Sequence, residues 1–133
     1  MARRGSDGVA VKGHMNWYID CAYNDAQKRS FHATAQSRLR ALAIIELQWE
    51  PSSFDIRSNK GGIAVSGEVT LHHDNVYVQV SQPYGGFDTG ILIRTCNGRR
   101  DYTGGVNHFA PLSMLDDIPA LATRVRAVMT DAR

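Results

Sequence analysis

The side chains best equipped for chemistry crowd into one stretch, Gly90 to Phe109 (GILIRTCNGRRDYTGGVNHF). It opens as an apolar strand carrying Arg94. It then turns into a loop holding Arg99, Arg100, Asp101, Tyr102, Asn107 and His108. Three kinds of chemistry suit these residue types. Cys96, with His108 and Asp101, has the makings of a nucleophile and its base. A cysteine nucleophile also needs a local field that lowers its pKa, such as a helix N-terminus. Cys96 instead ends a strand and is followed by the turn pair Asn97-Gly98, so it reads as a small core residue. The glycines at 98, 104 and 105 raise phosphate binding. A P-loop needs a Lys followed by Ser or Thr, and a dinucleotide fingerprint needs a following helix; the stretch has neither. What remains is Arg94, Arg99 and Arg100 beside Tyr102. Arginines next to an aromatic can grip a carboxylate, a phosphate or an acidic protein surface. The competing reading is a structural loop, with Asp101 paired to an arginine and Asn107 and His108 bonded to main chain.

Elsewhere, His72, His73 and Asp74 invite a metal reading, with His108 as a further donor. Adjacent histidines on a strand point to opposite faces, and no HxH or HExxH spacing occurs. A polar hairpin tip is the expectation, with no metal and no cofactor. The segment Gln82 to Thr89 (QPYGGFDT) carries Tyr84 and Phe87 on a glycine loop. Such aromatics can anchor a partner, or fold back over the sheet edge. The candidate partner-binding residues are therefore Tyr77, Tyr84, Phe87, Arg94, Arg99, Arg100, Tyr102, Asn107 and His108.

The elements that must position them follow from patterning. Asn24 or Asp25 can cap a helix. Phe31, Ala35, Leu39, Leu42 and Ala43 then recur at three- and four-residue steps. Pro51 disfavours helix at Glu50, so the helix is placed over Asn24 to Leu47, with Ala43 to Gln48 ambiguous with a strand. Phe54 and Ile56 alternate with polar neighbours. After the turn Lys60-Gly61-Gly62, alternation runs from Ile63 to His72 and again from Val76 to Ser81. Taking Asp74-Asn75 as a two-residue turn sets Leu71 opposite Val78 and Val69 opposite Val80. The aliphatics then share one face. His72, Thr70 and Glu68 meet Tyr77, Gln79 and Ser81 on the other; a slip of one residue would scramble both faces. Ile91 to Cys96 makes a fourth strand, and Phe109, Pro111 and Leu112 are expected to re-enter the core. Asp116 or Asp117 caps a last helix with Pro119 in its first turn. Ile118, Leu121, Ala122, Val125, Val128 and Met129 form its apolar stripe. The expected fold is a two-layer α+β domain: helix, about four antiparallel strands, helix, with both helices on the aliphatic face. The face bearing Thr70, His72, Tyr77 and Gln79 is expected to be open to solvent or a partner.

With 133 residues, the chain fits one domain able to bury a core without metal or disulfide staples. Residues 1 to 14 read as a flexible tail, Met15 offers an alternative start, and residues 15 to 133 form the domain. Arg3, Arg4 and Lys12 against Asp7 account for the whole net charge of +2. The rest of the chain is balanced, which argues against strong non-specific phosphate binding. Lys28, Arg29, Arg38 and Arg40 could still form a basic helix face. Cys21 and Cys96 do not make a disulfide framework, and the longest apolar run, near Leu42 to Leu47, is far shorter than a membrane span. Arg3 and Arg4 precede no apolar stretch, so no secretory signal is expected. A cytoplasmic setting without membrane contact follows.

The functional expectation is a small non-enzymatic binding or accessory protein acting through protein contacts. Its general look is that of small inhibitors carried by mobile elements, anti-CRISPR proteins among them, by analogy alone. The alternative is a nucleic-acid or phosphate-ligand binding module using the same arginines. An exposed strand edge makes a homodimer a further expectation.

Overall fold

A computed structural model describes residues 25–59, 67–82, 90–99 and 105–131. The order is α1 (Asp25–Ala41), a wide helical turn (Leu42–Glu46), β1 (Phe54–Asn59), β2 (Glu68–His73), β3 (Val76–Ser81), β4 (Ile91–Thr95), β5 (His108–Ala110), a short 3₁₀ turn (Leu112–Asp116) and α2 (Ile118–Asp131). The strands form one antiparallel sheet in the order β1-β2-β3-β4-β5, and both helices contact it. The expected α+β architecture is therefore present, with five strands rather than about four.

The β2–β3 register follows the alternation. Leu71 pairs with Val78, Val69 with Val80, Thr70 with Gln79 and His72 with Tyr77. On the helix side, Leu71, Val78, Ile93, Val69, Val80 and Ile91 are fully buried against Phe31, Leu39, Leu42, Leu121 and Val125. Each such aliphatic side chain contributes about 1.5–3 kcal/mol relative to exposure.

At the end of α1 the helix widens. Leu47 N donates to Leu42 O at 2.9 Å and Trp49 N to Ala43 O at 2.8 Å. Gln48 takes a left-handed conformation (φ 57°) that closes the turn. Glu50 is extended and Pro51 starts a 3₁₀ turn, as a residue before proline demands. The ambiguous Ala43 to Gln48 segment is thus helical up to Glu46, and Ile44 and Ile45 are exposed.

For α2, Asp117 Oδ1 accepts the Ala120 N–H at 3.2 Å, so Asp117 rather than Asp116 is the cap. Leu121, Ala122, Val125 and Val128 are buried, with Ile118 and Met129 packed against them. The expected cap at Asn24 or Asp25, the tail, the Lys60-Gly61-Gly62 turn and the start of the second strand at Ile63 fall outside the described backbone or side chains.

Two expectations need correction. Phe109 does not re-enter the core: β5 pairs Leu92 with Phe109 and Ile93 with His108. His108 and Ala110 thus take the helix side and Phe109 the other, where it is 49% exposed. The polar face is also not open at its centre, because Thr70, His72 and Tyr77 are all buried.

Candidate functional site

Cross-strand pairing aligns side chains on the face away from the helices. One row runs Asp55, His72, Tyr77, Arg94 and the next runs Arg57, Thr70, Gln79, Leu92, Phe109. These side chains lie on one another. Thr70 Oγ1 and His72 Nε2 are 2.8 Å apart, and the Tyr77 hydroxyl donates to Gln79 Oε1 at 2.8 Å. The His72 ring meets Tyr77 edge-on at 5.2 Å, and the Arg94 guanidinium stacks 4.5 Å from the Tyr77 ring centre. Cation–π stacking and hydrogen bonding use the polar groups internally. Thr70 beside His72 has the outline of a hydroxyl and its base, but both groups are buried, which makes the pair a packed contact.

The segment after β4 is fixed at both ends. At its start, Cys96 N donates to Asn75 O at 3.0 Å and the buried Cys96 thiol donates to His73 O at 3.3 Å. Arg99 then reaches across the end of the sheet. Its Nε donates to Asp74 Oδ1 at 3.0 Å, one terminal nitrogen to Asp55 Oδ2 at 3.5 Å and the other to Ser52 O at 2.6 Å. The hydrogen bond with Asp74 is the main reason the Arg99 pKa is raised. One side chain thereby ties the β4 exit to the β2–β3 turn and to the entry of β1. At the other end, Gly105 has φ +73° and lies against β4. A side chain there would meet Thr95 Oγ1 at 2.6 Å and Thr95 O at 2.7 Å. Only glycine combines that conformation with that approach.

The paired histidines separate as strand geometry requires. His72 lies on the polar face, its Nε2 beside the Thr70 hydroxyl. His73 lies on the other, stacked on Trp49 at 3.8 Å between ring centres, with Nδ1 accepting the Asn75 N–H. Burial pushes both imidazoles below their ordinary pKa. The Arg57 charge adds to this at His72, and Asp74 opposes it at His73. Both are neutral near pH 7. Among the described residues no group of three or more His, Cys, Asp or Glu side chains is placed to hold a metal ion.

The candidate residues are only partly brought together. Tyr77 and Arg94 share the polar face and Arg99 borders its end, whereas His108 takes the helix side opposite Ile93. Asn107 is exposed. Tyr84, Phe87, Arg100 and Tyr102 lie outside the described residues, as does Asp101. Sequence reasoning missed Val106, 73% exposed, and the exposure of Phe109. It also missed the partners of Arg99, which lie 25 to 47 residues away in the chain. The alternation His108-Phe109-Ala110 was the available signal for Phe109, but a run of three residues is too short to show a period. Comparison with protein-family models, with curated proteins and with solved structures returns no match.

Proposed function

We propose that the chain is a small non-enzymatic binding protein that grips a protein partner at the β4–β5 end of its sheet. One observation carries this reading: Val106 and Phe109, three residues apart in the chain, both expose large apolar side chains at a short edge strand. Phe109 continues into half-buried Leu92 on the same face. An exposed aromatic anchor has the character of an interface centre. Arg100 and Tyr102 belong to the sequence between Arg99 and Gly105, and Asn107 is exposed between Val106 and Phe109. Arg99 itself is a poor contact residue, because its donors already serve Ser52, Asp55 and Asp74.

The nucleic-acid alternative draws less support. Arg38 faces Asp116 at 3.6 Å, and Arg124 and Arg126 donate to the carbonyls of Phe109 and Glu46. Cations used in this way are less available for phosphates.

Tagged wild-type protein and a Val106→Asp/Phe109→Asp variant should be used to capture partners from extract, with and without nuclease. The reading expects a nuclease-resistant protein partner, held across a salt titration and lost with the double variant, whose melting is unchanged. Capture that survives the double variant would place the interface elsewhere. Capture abolished by nuclease, or falling steeply with salt, would favour nucleic acid.

A further inference from the structure

The two edges of the sheet are built differently. β5 is three residues long and is followed by Pro111, which lacks an N–H. Short edge strands and nearby prolines are how sheets discourage further pairing. β1 has neither defence. It is six residues long (FDIRSN), contains no proline, and pairs with β2 in unbroken register from Phe54–His73 to Asn59–Glu68. Its outer edge carries no strand among the described residues, and Asp55, Arg57, Ser58 and Asn59 are exposed.

The charges on this edge have a symmetry of their own. Asp55 and Arg57 flank Ile56 and, two residues apart, point to the same face of the sheet. They already pair with each other at 3.7 Å. If a second β1 runs antiparallel with Ile56 opposite Ile56, Asp55 of each copy lies opposite Arg57 of the other. The strand is then its own complement, which a two-fold interface requires. Opposite charges directly across an antiparallel pair stabilise it, and like charges oppose it. A slip of one residue would put Asp55 opposite Ile56 and lose the match.

We propose that β1 pairs with β1 of a second copy about a two-fold axis at Ile56, joining two five-stranded sheets into one. The surface is distinct from the β4–β5 end, so the two readings stand or fall separately.

Sedimentation of the full chain over a concentration series tests the association. The wild type should form dimers, and Arg57→Glu should weaken them by about tenfold or more, since two attractions become two repulsions. Asp55→Lys should do the same, and mixing the two variants should restore dimers, because each supplies the charge the other lacks. Asp55 also receives Arg99, so a folding defect in Asp55→Lys is met by a second measurement. Single cysteines at positions 55 to 59, in a Cys21→Ser/Cys96→Ala background, should cross-link under mild oxidation only at position 56, the one position that faces itself. A monomer at all concentrations would overturn the proposal. So would dimers indifferent to Arg57→Glu, or cross-linking that peaks at another position.

Discussion

Gly105→Ala is the substitution with the most readable consequence. The residue sits at φ +73°, and an added Cβ would stand 2.7 Å from the Thr95 carbonyl oxygen and 3.0 Å from its nitrogen. The left-handed conformation costs an alanine about 1–2 kcal/mol. Overlap with main-chain atoms of β4 cannot be relieved by a rotamer change, and forced shifts of this kind cost about 1–3 kcal/mol. Reduced freedom of the unfolded chain returns about 0.4–1 kcal/mol. The net loss is about 1–4.6 kcal/mol, centred on about 3, measured as a fall in the urea midpoint at constant slope. Gly98→Ala is the control. Its φ of +151° strains an alanine, yet nothing lies within 4 Å of the added carbon, so it should lose about 1–2 kcal/mol. The reasoning fails if Gly105→Ala stays within 1 kcal/mol of wild type, or if Gly98→Ala is the more damaging of the two.

Three further outcomes are expected. Asp117→Ala removes the acceptor for the Ala120 N–H and should cost about 1 kcal/mol in urea unfolding; no change would mean that the cap contributes nothing. Arg99→Ala should lower the melting temperature and speed hydrogen exchange around Ser52 to Asp55 and Asp74, the segments it ties together; unchanged exchange would remove its role as a tie. Stability should also fall in mild acid. His72 and His73 have folded pKa values below the ordinary 6.5, so the unfolded chain binds protons first. Their contribution is fully present above pH 6.5 and is lost as pH falls through the folded values. Replacing both with Gln should flatten urea midpoints measured from pH 7.5 to pH 5, and an unchanged slope would refute the assignment.

The parts of the fold legible in the sequence are those written in local period and turn chemistry. Val69, Leu71, Val78 and Val80 with Asp74-Asn75 gave the β2–β3 register, because only one register keeps the aliphatics on one face. The α2 stripe was equally readable, while its cap was narrowed only to Asp116 or Asp117; the Ala120 N–H, bound to Asp117, decides between them. What escaped depends on distance in sequence. Nothing near Arg99 announces Ser52 or Asp55, and nothing in the alternation of Thr70 and His72 says that both are buried. Phe109 looked like core because it is aromatic and lies beside Pro111 and Leu112. Only the pairing with Leu92 shows that it faces outward.

The claim that the β4–β5 end is the interface is tested most directly by site-specific photo-cross-linking. A benzoylphenylalanine placed at position 109 should capture a protein partner. The same group at position 45, where Ile45 is 67% exposed on the wide turn after α1, should not. Capture at position 45 alone, or equal capture at both, would contradict the assignment.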